Sequence, residues 1–290
     1  MNPLTIIHLS DLHFLDSNPL PKHLLWSRAA FSKQLIGALN IRLRGRRRFL
    51  ENTYRRLSDC IGNLHWDYLV ISGDLTNLST EGEFIKARKE LGPFVERGKV
   101  ILTAGNHDRY VRSALRPDLM ARHFGDCFPF RKEESTEPSF PIIELNSGVV
   151  LFELELATPR SVFSSRGKIQ SDLPAIQNAL RGKYRDHAKI AVGHYPAFLP
   201  KPIFEGYWHK LSKRNVLRRF LIDNDIDLYL HGHIHKSWAF SPIGESRLIC
   251  VNSGGCRRYE EGSWAGFHSI HIENREIRIR RIRLNSLMNQ

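Results

Sequence analysis

Short, almost continuous apolar runs alternate along this chain with stretches of helical period. Residues 4–9, 68–71, 99–102, 189–192 and 227–230 have the pattern of strands buried on both faces, and 149–156 predicts another. Between them, 49–64, 80–96, 172–180 and 213–222 read as helices, and Thr80-Glu-Gly-Glu83 has the form of a capping box. Late in the chain the period changes to two, over 247–251, 269–273 and 276–283. There Ile270 and Ile272, then Ile277 and Ile279, alternate with polar residues around an Asn274-Arg275 turn. The expected architecture is α/β: a first sheet from the five early-type strands, a second and more antiparallel sheet packed against it, and helices outside. No repeat, low-complexity tract or linker interrupts the pattern, which predicts one domain over 1–290.

The residues just beyond each apolar run carry candidate chemistry. The first run leads into Asp11-Leu-His13 and the second into Gly73-Asp74. The third leads into Gly105-Asn-His-Asp108, a later one into Gly193-His194, and the last into Gly232-His-Ile-His235. Each strand thus delivers an oxygen or imidazole donor at its carboxyl end, the edge where open α/β sheets bind ligands. Four of the five stretches contain glycine, which suits sharp turns beside a crowded site.

Composition bounds the partners. With 290 residues and 41% hydrophobic content a sizeable core is expected, and global disorder is excluded. The net charge of +13 favours anionic partners. Cys60, Cys127, Cys250 and Cys256 form no C-x-x-C pair and read as reduced thiols, which points to the cytosol. The first residues lack the form of a secretion signal, and no apolar run is long enough to span a bilayer.

Taken in order, D-x-H, G-D, G-N-H-D, G-H and G-H-x-H resemble the signature of the calcineurin-like metallophosphoesterases, over residues 11–235. The resemblance implies a two-sheet αββα sandwich and two divalent metal ions. Asp11, His13 and His235 would bind one ion, Asn106, His194 and His233 the other, and Asp74 would bridge them. Mixed carboxylate, imidazole and amide donors suit manganese, with iron and zinc as alternatives. Two such ions would activate water and clamp the phosphoryl oxygens, so no protein nucleophile is needed. His107 is assigned to transition-state stabilisation and protonation of the leaving oxygen. Asp108 either orients His107 or serves a helix N-terminus. His8 reads as packed within its strand, and His231 as a packed or solvent-facing residue with no ligand role. Protein Ser/Thr phosphatases of the superfamily carry G-D-x-x-D-R-G. Here Gly73-Asp-Leu-Thr-Asn77-Leu-Ser79 lacks the second aspartate and the arginine, which disfavours that activity and leaves Asn77 open to an orienting role.

The substrate has to be read from an insertion after the first strand. Residues 17–50 hold no acidic residue and eight basic ones, and without them the net charge falls from +13 to +5. Leu24, Phe31, Leu35 and Leu39 recur at helical spacing. A basic, apolar helix of this kind suits an anionic membrane surface, with Trp26, Arg44, Arg46, Arg47 and Arg48 as contacts. The alternatives are a helix capping the sheet or a nucleic-acid contact. The proline-broken aromatic loop 195–208 either walls an apolar cleft beside His194 or plugs the fold. Arg109, Arg166, Arg257 and Arg258 are candidate substrate contacts. Within the superfamily the insertion resembles the enzymes that cleave UDP-2,3-diacylglucosamine in lipid A synthesis. That resemblance implies a lipid-nucleotide substrate and a peripheral position on the cytoplasmic face of the inner membrane. Cyclic-nucleotide phosphodiesterase, DNA nuclease and non-catalytic scaffold are the competing expectations.

Overall fold

A computed structural model describes residues 3–16, 33–40, 51–115, 118–129, 141–146, 148–161, 164–242, 244, 247–257 and 265–284. In chain order the elements are β1 (Leu4–Leu9), α1 (Lys33–Asn40), α2 (Glu51–Gly62), β2 (Tyr68–Ile71), α3 (Glu81–Val95) and β3 (Val100–Leu102). Then come α4 (Leu119–Phe124), β4 (Ile142–Asn146), β5 (Val149–Glu153), α5 (Leu173–Arg181), β6 (Ala188–Val192) and α6 (Arg214–Asp223). The chain closes with β7 (Leu228–His231), β8 (Trp238–Phe240), β9 (Ile249–Asn252), β10 (Gly266–Glu273) and β11 (Glu276–Arg283).

Two mixed sheets form the centre, in the orders β11-β10-β1-β2-β3 and β4-β5-β6-β7-β9-β8. Alternation along each strand sorts its side chains into layers. Leu4 and Ile6 of β1 join Val70, Ile101, Leu151, Ile190, Leu228 and Ile270 between the sheets. Ile7 and Leu9 face the other way, toward Leu57, Phe84 and Leu91 of α2 and α3. On the far side Phe152, Ala191 and Tyr229 meet Ile176, Leu217 and Leu221 of α5 and α6. Helices cover both outer faces, which is why the central strands read as unbroken apolar runs.

The strand grouping differs from the expectation. β1, β2 and β3 are parallel to one another in one sheet, while β6 and β7 are parallel in the other. The late strands divide as well: β9 runs parallel to β7, whereas β10 lies antiparallel to β1. The apolar pattern shows that a strand is buried on both faces but not which sheet it joins. β10 and β11 form a hairpin whose Asn274 and Arg275 both take positive φ, 48° and 67°, as a tight two-residue turn requires. β4, β8 and α4 were not foreseen. The two strands lie at the edges of their sheet, and all three are short.

Of the 17–50 insertion only 33–40 is described, as α1, with Gly37 and Ala38 buried. A Cβ on Gly37 would meet Leu78 and the Tyr110 hydroxyl, so α1 packs tightly beside the loop after β2. Trp26, Arg44, Arg46, Arg47, Arg48 and Arg258 lie outside the described residues. Among the described residues no helix is long and apolar enough to cross a membrane. All four cysteines are free thiols.

The capping box of α3 is formed: Thr80 accepts from the Glu83 amide, and Glu83 reaches back to the Thr80 amide. The same carboxylate oxygen accepts from the amides of Leu78 at 2.8 Å and Asn77 at 3.3 Å. Glu83 therefore closes the loop after β2, although burial pushes its carboxyl up to about 7. Replacing Thr80 by Ala is expected to cost about 1 kcal/mol. Glu83→Ala, which leaves three amides unmet, two of them buried, should cost roughly 3 kcal/mol. Chemical denaturation of both variants checks the order.

Candidate metal centre

The donors foreseen at the strand ends meet where the carboxyl ends of the two parallel strand groups face each other. β1 runs into Asp11 and His13, β2 into Asp74 and β3 into Asn106, while β6 leads to His194 and β7 to His233 and His235. The turns that bring them together are tight. Asp11, His13, Asp74 and His233 all take positive φ, at 55°, 48°, 57° and 73°. L-residues avoid this region, and such strain clusters where surrounding structure holds a functional geometry. Gly73 has φ of 94°, and a Cβ there would lie 2.6 Å from His194 Nδ1. A Cβ on Gly232 would collide with Ser10 and approach Asp11 Oδ2 to 2.7 Å.

Two nests of donors result. Asp11, His13, Asp74 and His235 each offer one atom, all within 4.8 Å of one another. In this nest His13 Nε2 is 3.1 Å from His235 Nε2, and His235 Nε2 is 3.5 Å from Asp11 Oδ1. In the second nest Asn106 Oδ1 lies 3.2 Å from His194 Nε2 and 2.8 Å from His233 Nδ1. Asp74 Oδ2 belongs to both, 3.7 Å from His13 Nε2 and 3.3 Å from His194 Nε2.

Backbone carbonyls set the imidazole orientation. A carbonyl can only accept, so His13 Nδ1, 3.2 Å from Thr76 O, carries a proton, as does His194 Nδ1 at 2.8 Å from Ser72 O. Both rings then turn Nε2 into the nests. His233 is reversed: Nε2 donates to His209 O at 3.0 Å, with Glu205 Oε1 also at 3.0 Å, and Nδ1 faces Asn106. Protein-held orientation of this kind is what metal-ligating histidines require.

The electrostatics agree with a cation-binding role. Burial holds His13 and His233 down to about 3, keeping their lone pairs open. For His194 burial acts the same way, but the Asp74 carboxylate outweighs it and raises the imidazole to about 9. Burial works to raise Asp11, yet the His235 hydrogen bond and the neighbouring imidazoles keep it below the usual carboxylate range. Asp11 Oδ2 is buried with no hydrogen-bond partner. In the first nest, acceptors facing acceptors, plus the orphaned Asp11 oxygen, are groups that a bound cation satisfies. Two nitrogens on one ion with bonds of about 2.1 Å stand roughly 3–3.4 Å apart, close to the His13–His235 spacing.

His107 stands beside the nests. Its amide donates to Asp74 Oδ1 at 2.8 Å, and its ring stacks on Tyr110. Nδ1 lies 2.6 Å from the Asn77 carbonyl, so Nε2 is left toward the cleft. The cleft, about 430 Å³, is lined by Asp74, Asn106, His107, His233 and His235 together with Lys33, Tyr110, Phe204 and His209. Asp108 is not the group that orients His107. Its carboxylate bonds the Thr76 amide and hydroxyl and the Gly105 amide, tying the loops after β2 and β3 together. The orienting group is the backbone of Asn77, whose side chain also donates to His13 O. His8 and His231 are packed, His8 between Ser72 and Ser253 and His231 against Tyr229.

The arginine expectations divide. Arg109 is buried and held by Asp118, with Glu155 at 3.9 Å; Arg257 is buried, donates to Leu12 O and lies over Phe14. Both serve the interior and neither lines the cleft, so those two expectations are corrected. Arg166 does not line the cleft either but a second cavity adjoining it, where it lies over Tyr207. Sequence reasoning missed Glu205, which sits in the proline-broken loop, pairs with Arg214 and reaches His233. No local motif marks it, because its partner Arg214 belongs to α6.

The fold is shared with other solved structures at low identity. The chain superposes on the purple acid phosphatase of yellow lupin seeds with a TM-score of 0.62 and 10% identity. That alignment covers 98% of this chain but 52% of the lupin protein, so the chain spans about half the relative's length. GAP50, the anchor in the inner membrane complex of Plasmodium, aligns with a TM-score of 0.52 and 14% identity, over 97% of this chain and 85% of that one. A putative 5′-nucleotidase from Staphylococcus aureus gives 0.50 and 11%, over 97% and 53%. No curated protein matches in sequence. The family model for calcineurin-like phosphoesterases matches residues 4–237, a span that contains both donor nests, and the chain belongs to that family.

Proposed function

We propose that the chain is a dinuclear-metal phosphoester or pyrophosphate hydrolase acting on an amphiphilic substrate. The observation that carries this reading is Asp74, whose one carboxylate oxygen is within 4 Å of an imidazole in each nest. Asp11, His13 and His235 would hold one ion and Asn106, His194 and His233 the other, with Asp74 between. A bound pair of divalent ions, manganese being our first choice, would lower the pKa of water and neutralise phosphoryl oxygens. The chain's own part is positional. His107, fixed by Asn77 O, directs Nε2 into the cleft, where, when it carries a proton, it can stabilise charge on the phosphoryl oxygens and pass that proton to the leaving oxygen. Buried Tyr195 packs against His233 and restricts water on that side.

The amphiphilic part rests on the cleft's rim. Phe204 is 91% exposed, Trp208 59% and Tyr207 57%, so the later half of loop 195–208 presents its aromatics, while Tyr195 and Phe198 pack into the fold. With the basic, apolar composition of 17–50, this rim supports contact with an anionic membrane surface. UDP-2,3-diacylglucosamine, cleaved to UMP and 2,3-diacylglucosamine 1-phosphate on the cytoplasmic face of the inner membrane, is the substrate we propose.

Hydrolysis of UDP-diacylglucosamine, cyclic AMP and single-stranded DNA should be compared side by side, and only the first is expected to turn over rapidly. Preference for either of the others would displace the lipid reading and keep the hydrolase. Asp74→Asn should abolish turnover, and His107→Ala should lower kcat by roughly 10²–10⁴-fold with both ions retained.

Metal uptake has its own signature. Manganese added to chelator-treated protein should raise the melting temperature, with a gain in stability of about 2.7 kcal/mol per site at a hundredfold excess over Kd. Because His194 is raised to about 9, the ion must displace its proton. Affinity should therefore rise with pH up to that value, with proton release visible by calorimetry in buffers of different ionisation enthalpy. An unchanged melting temperature would contradict the site.

A further inference from the structure

Beyond Lys33, Tyr110 and Ser164 the cleft continues into a second cavity of about 640 Å³, lined further by Arg112, Arg160, Arg166 and Trp208. Four cations border this annex, and among the described residues its lining includes no acidic one. Some arginines elsewhere have carboxylate partners: Arg88 with Asp126, Arg122 with Glu81, Arg214 with Glu205. Among the described residues, none of the four annex cations has a carboxylate partner. Lys33 Nζ donates to Ser164 O at 3.2 Å and lies 4.2 Å from the centre of the Tyr110 ring. Arg160 Nε donates to Arg166 O at 3.0 Å. Arg166 lies over the Tyr207 ring, and its Nε is buried with no hydrogen-bond partner. Burial also pushes Lys33 down to about 8, which marks poor screening by water at this edge.

Like charges gathered around one cavity repel. A chain with 30 acidic residues has put none on the described lining. The unmet hydrogen-bonding capacity and the uncompensated charge both call for an anion. We propose that the annex binds a second anionic group of the substrate, a phosphate or carboxylate distinct from the phosphoryl group at the metal centre. The substrate class is then a phosphoester bearing at least two anionic groups, as in esters of nucleoside diphosphates. This rests on the hydrolase reading for the identity of the occupant, while the anion site itself rests on the annex.

The test is the double variant Arg112→Gln/Arg160→Gln, with Arg185→Gln/Arg247→Gln as a charge-matched control in a separate cavity. Manganese-loaded protein hydrolysing bis(p-nitrophenyl) phosphate is inhibited with UDP or with UMP. In the annex variant the UDP inhibition constant should rise at least about tenfold, that for UMP less than about threefold, and the control should match wild type. Arg160→Lys, which keeps the charge, should recover part of the loss, and a wild-type melting temperature excludes misfolding. Equal losses for UDP and UMP, or none, overturn the proposal. Loss of binding to phosphatidylglycerol vesicles with UDP inhibition unchanged overturns it too, and assigns the annex to lipid headgroups. If no metal restores hydrolysis, the hydrolase reading falls. Calorimetric titration with UDP then decides the annex alone: a tenfold weaker affinity in the variant sustains it, and equal affinities overturn it.

Discussion

The structure is organised around two carboxylates that have been taken out of water. Asp11 and Asp74 are buried side chains, each working against the other's charge, and both lie at the meeting point of two sheets. Isolated charges in such a place cost several kcal/mol each. The chain compensates with imidazoles and backbone amides, and it bends four donor residues into positive φ to bring them close. Neither the strain nor the buried charge assists folding. Both make sense as preparation for cations, which use the donor atoms that the protein leaves facing one another.

That constraint explains why so much of the site was legible in the sequence. A donor has to sit immediately after a strand, because only the strand end reaches the junction between the sheets. Glycine has to flank it, because Cβ atoms at Gly73 and Gly232 would occupy space taken by His194, Ser10 and Asp11. Asp11, His13, Asp74, Asn106, His194, His233 and His235 therefore left a local trace of residue type and spacing. The burial of His8 was legible too, since it lies within β1, whereas His231 stands just past the expected strand 227–230 and only the structure includes it in β7.

What was not legible is contact that the tertiary fold sets and no local residue pattern records. Strand composition does not say that β6 and β7 leave β1 and β2 for another sheet, because both positions demand the same apolar faces. Arg109 and Arg257 looked like surface cations near the motifs, and only the fold shows them committed to Asp118 and Leu12 O. The orienting group for His107 is a main-chain carbonyl at Asn77, which no side-chain pattern records. Glu205 belongs to the same class: its role at His233 depends on α6 bringing Arg214 alongside.

Charge layout carries the argument from chemistry toward substrate. The floor of the cleft is rich in anionic and lone-pair donors and is complete only with cations. The adjoining annex is the reverse, four cations without carboxylate partners among the described residues. Opposite deficits side by side are a poor arrangement for a protein meant to bind a neutral molecule, since each side would pull counter-ions from solvent separately. A molecule with one phosphoryl group at the metals and another anion beyond Tyr110 would satisfy both at once. Its apolar remainder would then leave along the exposed ring of Phe204, which otherwise has nothing to cover it among the described residues.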